Sequence, residues 1–310
     1  MSSILYPVRM RNLVKAIPVE RSGPIHLDPR VRTYARDLLE AYGEEVILQV
    51  DRVRRRAGAD LLHDLRVASR RLQEALALLA PILPRRAQKR AYRRAKSIRR
   101  SVEDLRNTDV MVDLASDLLA MLPHPERVDV QPFLLRLQNQ ATELRRRTVK
   151  NPNGVPSIRR RMKRLLRGLP PVEPQYVRKI GENFRAVRAH RVVEAMRRAS
   201  QGGPEAMHRL RIALKHYRYT VEILEKGGFN GMKAVLRETR KLQTELGRLH
   251  DQDILMAMLR RERKVPESRR LLAKLRTERK LQLQKTRDLL AQSRELLASL
   301  NARPAARRTA

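Results

Sequence analysis

The sequence contains no cysteine, which excludes a disulfide framework, a thiol nucleophile and a thiolate metal site, and fits a reducing compartment. It has no tryptophan, three phenylalanines and only 3% aromatic residues. Proteins that grip single-stranded nucleic acid stack bases on aromatic rings, so this scarcity weighs against that class and leaves duplex backbone binding open. No stretch approaches the ~20 apolar residues of a membrane span. Met1 to Met10 lacks the continuous apolar run of a secretory signal. Also missing are the Gly-x-x-x-x-Gly-Lys phosphate loop, the Gly-x-Ser-x-Gly elbow and a metal-binding carboxylate cluster. Acidic residues are outnumbered, 33 against 69 lysines and arginines, for a formal net charge of +36 over 310 residues.

That imbalance repels the chain from itself and attracts anionic partners. Most of the cations are arginine, whose guanidinium forks two N–H bonds onto phosphate oxygens and sheds water more readily than an ammonium. The candidate partners are nucleic acid, an anionic membrane surface or another polyphosphorylated chain. Hydrophobic residues reach 42%, enough for a real core, so this is a folded basic protein and not a basic tail.

Residues 1–29 read as an irregular arm punctuated by Pro7, Pro18, Gly23, Pro24 and Pro29. Leu, Ala, Arg and Glu then dominate with few β-branched runs, which predicts helices almost throughout. They are expected at 30–56, 59–80, 84–106, 108–121, 126–149 and 156–168, then at 175–199, 204–226, 229–249, 251–263 and 267–300. A Pro-rich break, Leu169-Pro170-Pro171-Val172-Glu173-Pro174, separates the two groups, and 301–310 is a polar tail.

The two groups repeat each other. At an offset of 145, Gly58 falls on Gly203, Asp60 on Glu205, His63 on His208, Leu65 on Leu210, Arg66 on Arg211, Ala68 on Ala213 and Arg70 on Lys215. At an offset of 144, Arg106-Asn107-Thr108-Asp109-Val110 falls on His250-Asp251-Gln252-Asp253-Ile254. Two blocks at nearly constant spacing identify a duplicated helical unit.

Within each copy one helix carries two stripes. Met207, Leu210, Leu214, Tyr217, Val221 and Leu224 are spaced as a buried seam, as are Leu62, Leu65, Leu72, Leu76 and Leu79. One residue along from the seam stand His208, Arg211, Lys215 and Arg218, and in the first copy His63, Arg66 and Arg70. Residues three and four apart are neighbours on a helix, and like charges stacked this way destabilise it unless neutralised. One such stripe reads as a solvated basic face as readily as a site. Its recurrence in both copies favours a groove for a polyanion. Gly58 and Gly203 are the expected N-caps, with Pro204 at the first helical position, which sets His63 and His208 near helix ends that attract anions. Further cations follow on the next helices: Arg85, Lys89, Arg93, Lys96 and Arg100 on one face, Arg86, Arg90 and Arg94 on an adjoining one, and Lys233, Arg237, Arg240 and Lys241 in the second copy. Of these, Arg90, Arg93 and Arg237 are expected to reach the groove.

These motifs resemble the CHAD family, the conserved histidine α-helical domain. His63-Asp64-Leu65-Arg66-Val67-Ala68-Ser69-Arg70-Arg71-Leu72 is similar to its first-half signature. Met207-His208-Arg209-Leu210-Arg211-Ile212-Ala213-Leu214-Lys215-His216-Tyr217-Arg218-Tyr219 is similar to its second, and Leu246-Gly247-Arg248-Leu249-His250-Asp251 to its Leu-Gly-x-x-His/Arg-Asp stretch. Asn107 stands where the first half of the family has Asp. The resemblance spans about residues 30 to 300. It implies an all-α fold of two four-helix bundles, 30–168 and 175–300, related by a pseudo-two-fold with a basic groove between them. It also implies binding of inorganic polyphosphate and, in bacteria, association with polyphosphate granules, hence a cytoplasmic setting. The missing catalytic motifs make that binding non-catalytic, and the missing Glu-x-Glu-x-Lys strand of the triphosphatase domain often fused to family members points to the standalone form. Arg66, Arg70, Arg71, Arg211, Lys215 and Arg218 would then clamp phosphoryl oxygens and His63 and His208 donate hydrogen bonds. Nucleic acid is the competing polyanion and the alternative reading.

No cofactor or metal is expected. The seven histidines lack the His-x-x-x-His spacing of a helical ligand pair, and cations flank His63 and His208 along their stripes. Thr108 and Asp251 read as N-caps, with Asp109 and Asp253 in the first turn, placed to hold a groove arginine more readily than to act as an acid–base pair.

Overall fold

The apolar spacing sets the architecture. In the computed structural model, which describes residues 29–150, 155–170, 172–226, 232–261, 266–293 and 300, every regular element among the described residues is a helix. In chain order these are α1 (Pro29–Arg55), α2 (Ala59–Leu78), α3 (Arg85–Ser101), α4 (Glu103–Ala120), α5 (His124–Lys150), α6 (Val155–Arg167), α7 (Pro174–Gln201), α8 (Pro204–Lys226), α9 (Lys233–Arg261) and α10 (Pro266–Gln292). The expected arm up to residue 28 and the tail 301–310 lie outside the described residues. Among those described, no helix is long and apolar enough to cross a membrane.

Beyond shifts of one or two residues, α9 begins at Lys233 and not at 229, α10 ends at Gln292 and not at 300, and the joint expected in each copy is displaced or absent. The first copy breaks at Val102, where φ is −112° and ψ 6°, and not near residue 107. In the second copy α9 runs through the position where a break was expected. Thr108 and Asp251 therefore sit inside helices and are not N-caps. The Thr108 hydroxyl instead donates to the Asp104 carbonyl one turn back, at 3.0 Å. Gly58 does cap α2, with its carbonyl accepting from the Leu62 N–H at 3.0 Å.

Both seams are buried, from Leu62 to Leu79 and from Met207 to Leu224. The apolar residues gather in three cores. The first joins α1, α2, α3 and α6 and draws in Val177, Ile180 and Phe184 of α7 and Ile223 and Leu224 of α8. The second joins α7, α8, the first half of α9 and the end of α10. The third joins α4 and α5 to the end of α9 and the start of α10. The two halves thus interlock. The Tyr34 hydroxyl of α1 donates to the Ile223 carbonyl of α8 at 3.2 Å.

A buried polar knot fixes the crossing of α2 and α8. Glu74 of α2 accepts from Arg188 of α7 at 2.6 Å and from the Thr220 hydroxyl at 3.0 Å, and His216 Nδ1 stands 2.9 Å from its other oxygen. Glu74 and Arg188 are both almost fully buried, so the pair tolerates only one relative placement of α2, α7 and α8. That placement turns the two basic stripes toward each other.

Candidate anion-binding site

Each stripe is held by its own seam. Leu65, Ala68 and Leu72 anchor α2, and Leu210, Leu214 and Tyr217 anchor α8, so Arg66, Arg70, Arg211 and Lys215 have no freedom to turn away as a set. Where the helices meet, the cations of one copy act directly on those of the other. Burial, then the fields of Arg211, Arg70 and Arg66, pull the Lys215 ammonium down to about 6, against the opposing pull of Asp251. Burial, then Arg70, lowers Arg66 to about 10. Arg211 is lowered by burial and, after the opposing pull of Asp251, by Arg70 and Arg106. Arg70 is lowered by burial and then Arg99. Few carboxylates answer this charge. Glu103 accepts from Arg99 at 2.8 Å and lies 3.9 Å from Arg66. Asp251 is raised by burial against the pull of Arg211 and Arg106. The Asn107 side-chain oxygen accepts from Arg66 at 3.4 Å.

The histidines occupy the edge of this cluster. His63 keeps an exposed edge, and partial desolvation of its ring, then Arg106, lowers it. His208 Nδ1 lies 3.3 Å from His250 Nδ1, with ring centroids 4.7 Å apart. Burial, then Arg211 and His208, pushes His250 down to about 3. Two neutral rings that close can share one hydrogen bond, and an anion would favour protonating either.

Of the residues expected in the site, Arg66, Arg70, Arg211 and Lys215 converge at its centre. His63, His208 and Arg218 adjoin it. Arg218 lies over the Tyr219 ring at 4.7 Å and 3.7 Å from Glu222. Arg71 is drawn aside between Glu45 at 3.5 Å and Glu222 at 3.6 Å. Arg237 is exposed, 3.7 Å from Glu238, and Arg93 is exposed on α3. Arg90 is part of a different cleft, with Arg160, Arg161 and Arg164 of α6. Sequence reasoning left Arg99, Arg106 and His250 out of the site. The repeat offset pairs Arg106 with His250, so the duplication itself carried the signal for those two. Arg99 had none, because which side of α3 is turned toward Arg66 and Arg70 is set by packing between helices.

Asp109 and Asp253 make the same kind of contact in the two copies. Arg145 of α5 donates to Asp109 at 2.8 Å and also to the Ala57 carbonyl at 2.9 Å. Arg279 of α10 donates to Asp253. The arginines they hold come from the helix that follows in each copy. Among the described residues, no cluster of three or more His, Asp or Glu could hold a metal ion.

A family model described as the CHAD domain matches residues 37–260. No curated protein matches the chain. Among solved structures, the CHAD domain from the plant Ricinus communis is similar with a TM-score of 0.61 at 20% identity, covering 94% of this chain and 98% of that one. PptA from Streptomyces chartreusis is similar with a TM-score of 0.64 at 15% identity, covering 86% of this chain and 99% of that one.

Proposed function

This chain belongs to the CHAD domain family, and on that premise we propose that it binds inorganic polyphosphate, without hydrolysing it, where the stripes of α2 and α8 meet. The observation that carries the reading is the crowding around Lys215. Burial first, and then the fields of Arg211, Arg70 and Arg66, lower this ammonium to about 6, so four cations from the two copies stand within one another's fields with Asp251 as the opposing carboxylate. A dense, flexible polyanion supplies the missing charge. Guanidinium forks fit its phosphoryl oxygens, and its lack of bases suits a site whose neighbouring tyrosine, Tyr219, is already covered by Arg218. Support for binding without turnover comes from Asp109 and Asp253, the two aspartates that the repeat sets in register. Each is already engaged by an arginine and so is poorly placed to activate water. Cytoplasmic polyphosphate granules are the setting this reading proposes.

The test is a competition titration of long-chain polyphosphate against duplex DNA and RNA at matched ionic strength. Polyphosphate should displace both, and affinity should fall steeply with salt as counterions are released. The pair Arg66→Ala with Arg211→Ala should flatten the slope of log affinity against log salt while leaving helicity intact. Parity or preference for nucleic acid would support the alternative, a nucleic-acid backbone binder. Phosphate release from polyphosphate with magnesium or manganese, lost in Asp109→Asn or Asp253→Asn, would overturn the non-hydrolytic part.

A further inference from the structure

Arg90 leads to a second basic feature, on the other side of α3. That helix carries nine basic residues and no acidic one, and α6 six basic and no acidic one, yet the two pack together. They run antiparallel. Gly168, after α6, lies so close to Pro84, before α3, that a Cβ there would stand 3.1 Å from the proline ring, and Arg94 feels the field of Arg161. Ala91 and Ala95 of α3 and Met162 and Leu165 of α6 are buried in the same apolar core. Above it, Arg90, Arg160, Arg161 and Arg164 line a cleft of about 370 Å³ with no carboxylate among its lining residues. The Nε atoms of Arg94 and Arg161 are buried without a hydrogen-bond partner.

We propose that this α3–α6 cleft is a second anion site, independent of the central cluster, that takes a compact oligophosphate such as inorganic triphosphate. Independence follows from helix geometry. Arg90 and Arg99 are nine residues apart, about two and a half turns at 3.6 residues per turn, so they face opposite sides of α3. The ligand class follows from the lining. Four guanidiniums offer paired N–H forks matched to phosphoryl oxygens. The volume lies at the small end of the range for ligand clefts, which suits a small ion with several phosphoryl groups and not an extended duplex. The packing is consistent with it: two helices of one sign repel, and a bound oligophosphate would offset the part of that repulsion that arises at the cleft. The inference goes beyond the central-cluster reading and does not rest on it.

Calorimetric titration of the full chain with inorganic triphosphate tests it. Wild type should take up two equivalents. Arg160→Ala with Arg164→Ala, both exposed on α6 and so removable without touching the core, should lose one equivalent or weaken it at least tenfold. Arg160→Lys with Arg164→Lys keeps the charge but not the forks, and should also weaken that equivalent. Arg66→Ala with Arg211→Ala should remove only the other equivalent. If that central pair changes nothing while the α6 alanine pair still loses its equivalent, the central reading fails and this one stands. Two unchanged equivalents in the α6 alanine pair would overturn the proposal. So would a lysine pair indistinguishable from wild type, because the effect would then be one of diffuse charge.

Discussion

Glu74 is a carboxylate with almost no access to water, and its partners explain how it survives there. Burial alone would raise its carboxyl. Arg188, then His216 and Thr220, outweigh that and hold it below the usual range. Removing one member of such a pair leaves a buried charge unanswered, which costs about 3–5 kcal/mol. Glu74→Gln should therefore lower the unfolding free energy by that order, read from the shift of the urea midpoint at unchanged slope, while Glu74→Leu combined with Arg188→Met should fall much closer to wild type. A Glu74→Gln midpoint equal to wild type would show that Arg188 reaches solvent instead. The pH sign follows. A carboxylate depressed in the fold stabilises it above the unfolded value of ~4.3 and loses that contribution as pH falls through the folded value. Acid unfolding of wild type should include this component below about pH 4.3, and Glu74→Gln should lack it. None of this was legible in the sequence. Glu74 lies 142 residues from His216, so no local spacing announces the pair. The stripe residues were legible because their partners are three and four positions away.

At the scale of helices, the apolar period found the elements and most ends within two residues, but it misjudged the joint in both copies. The joint depends on one backbone conformation at Val102 and on the absence of its counterpart in α9, and neither leaves a mark in the hydrophobic pattern. Two glycines in the second copy now separate by environment. Gly202 turns α7 into α8, where a Cβ would stand 2.4 Å from the Arg198 carbonyl oxygen and 2.5 Å from the Ala206 Cβ. Gly202→Ala must push these helices apart and should lower the thermal midpoint clearly. Gly247 lies within α9, where a Cβ would meet nothing within 4 Å. There Gly247→Ala should stabilise by about 0.5–1 kcal/mol through helix propensity alone. Thermal melts of the two variants beside wild type check both signs. A stabilised Gly202→Ala would mean that the α7–α8 turn has room the structure does not show.

For the molecule as a whole, the interlocked halves bring Arg66 and Arg70 from α2, Arg211 from α8 and Asp251 from α9 around one lysine, and on the proposed reading that lysine would couple binding to protons. The duplication was legible as an offset, yet the sequence could not say that the two stripes face each other, because the contacts that turn them inward are made between halves. With Lys215 at about 6, the free protein holds this side chain mostly neutral at pH 8. The unfolded chain keeps the proton to ~10.4. Between those values the unfolded state binds more protons, so through this group stability rises with pH. Binding has the opposite dependence. A polyanion offsets the fields of Arg211, Arg70 and Arg66 and favours the charged lysine, so the complex should take up close to one proton at pH 8. Affinity should fall by up to about tenfold per pH unit as pH rises above the free value. His63, His208 and His250 are all lowered from their ordinary range and contribute only in more acidic solution. Titration with long-chain polyphosphate at pH 8, in buffers of different ionisation enthalpy, measures the uptake. Lys215→Arg keeps a charge that does not titrate, so it should bind with little proton uptake and a nearly flat affinity between pH 7 and 9. Full proton uptake in Lys215→Arg would place the titrating group elsewhere and remove Lys215 from contact with the bound chain.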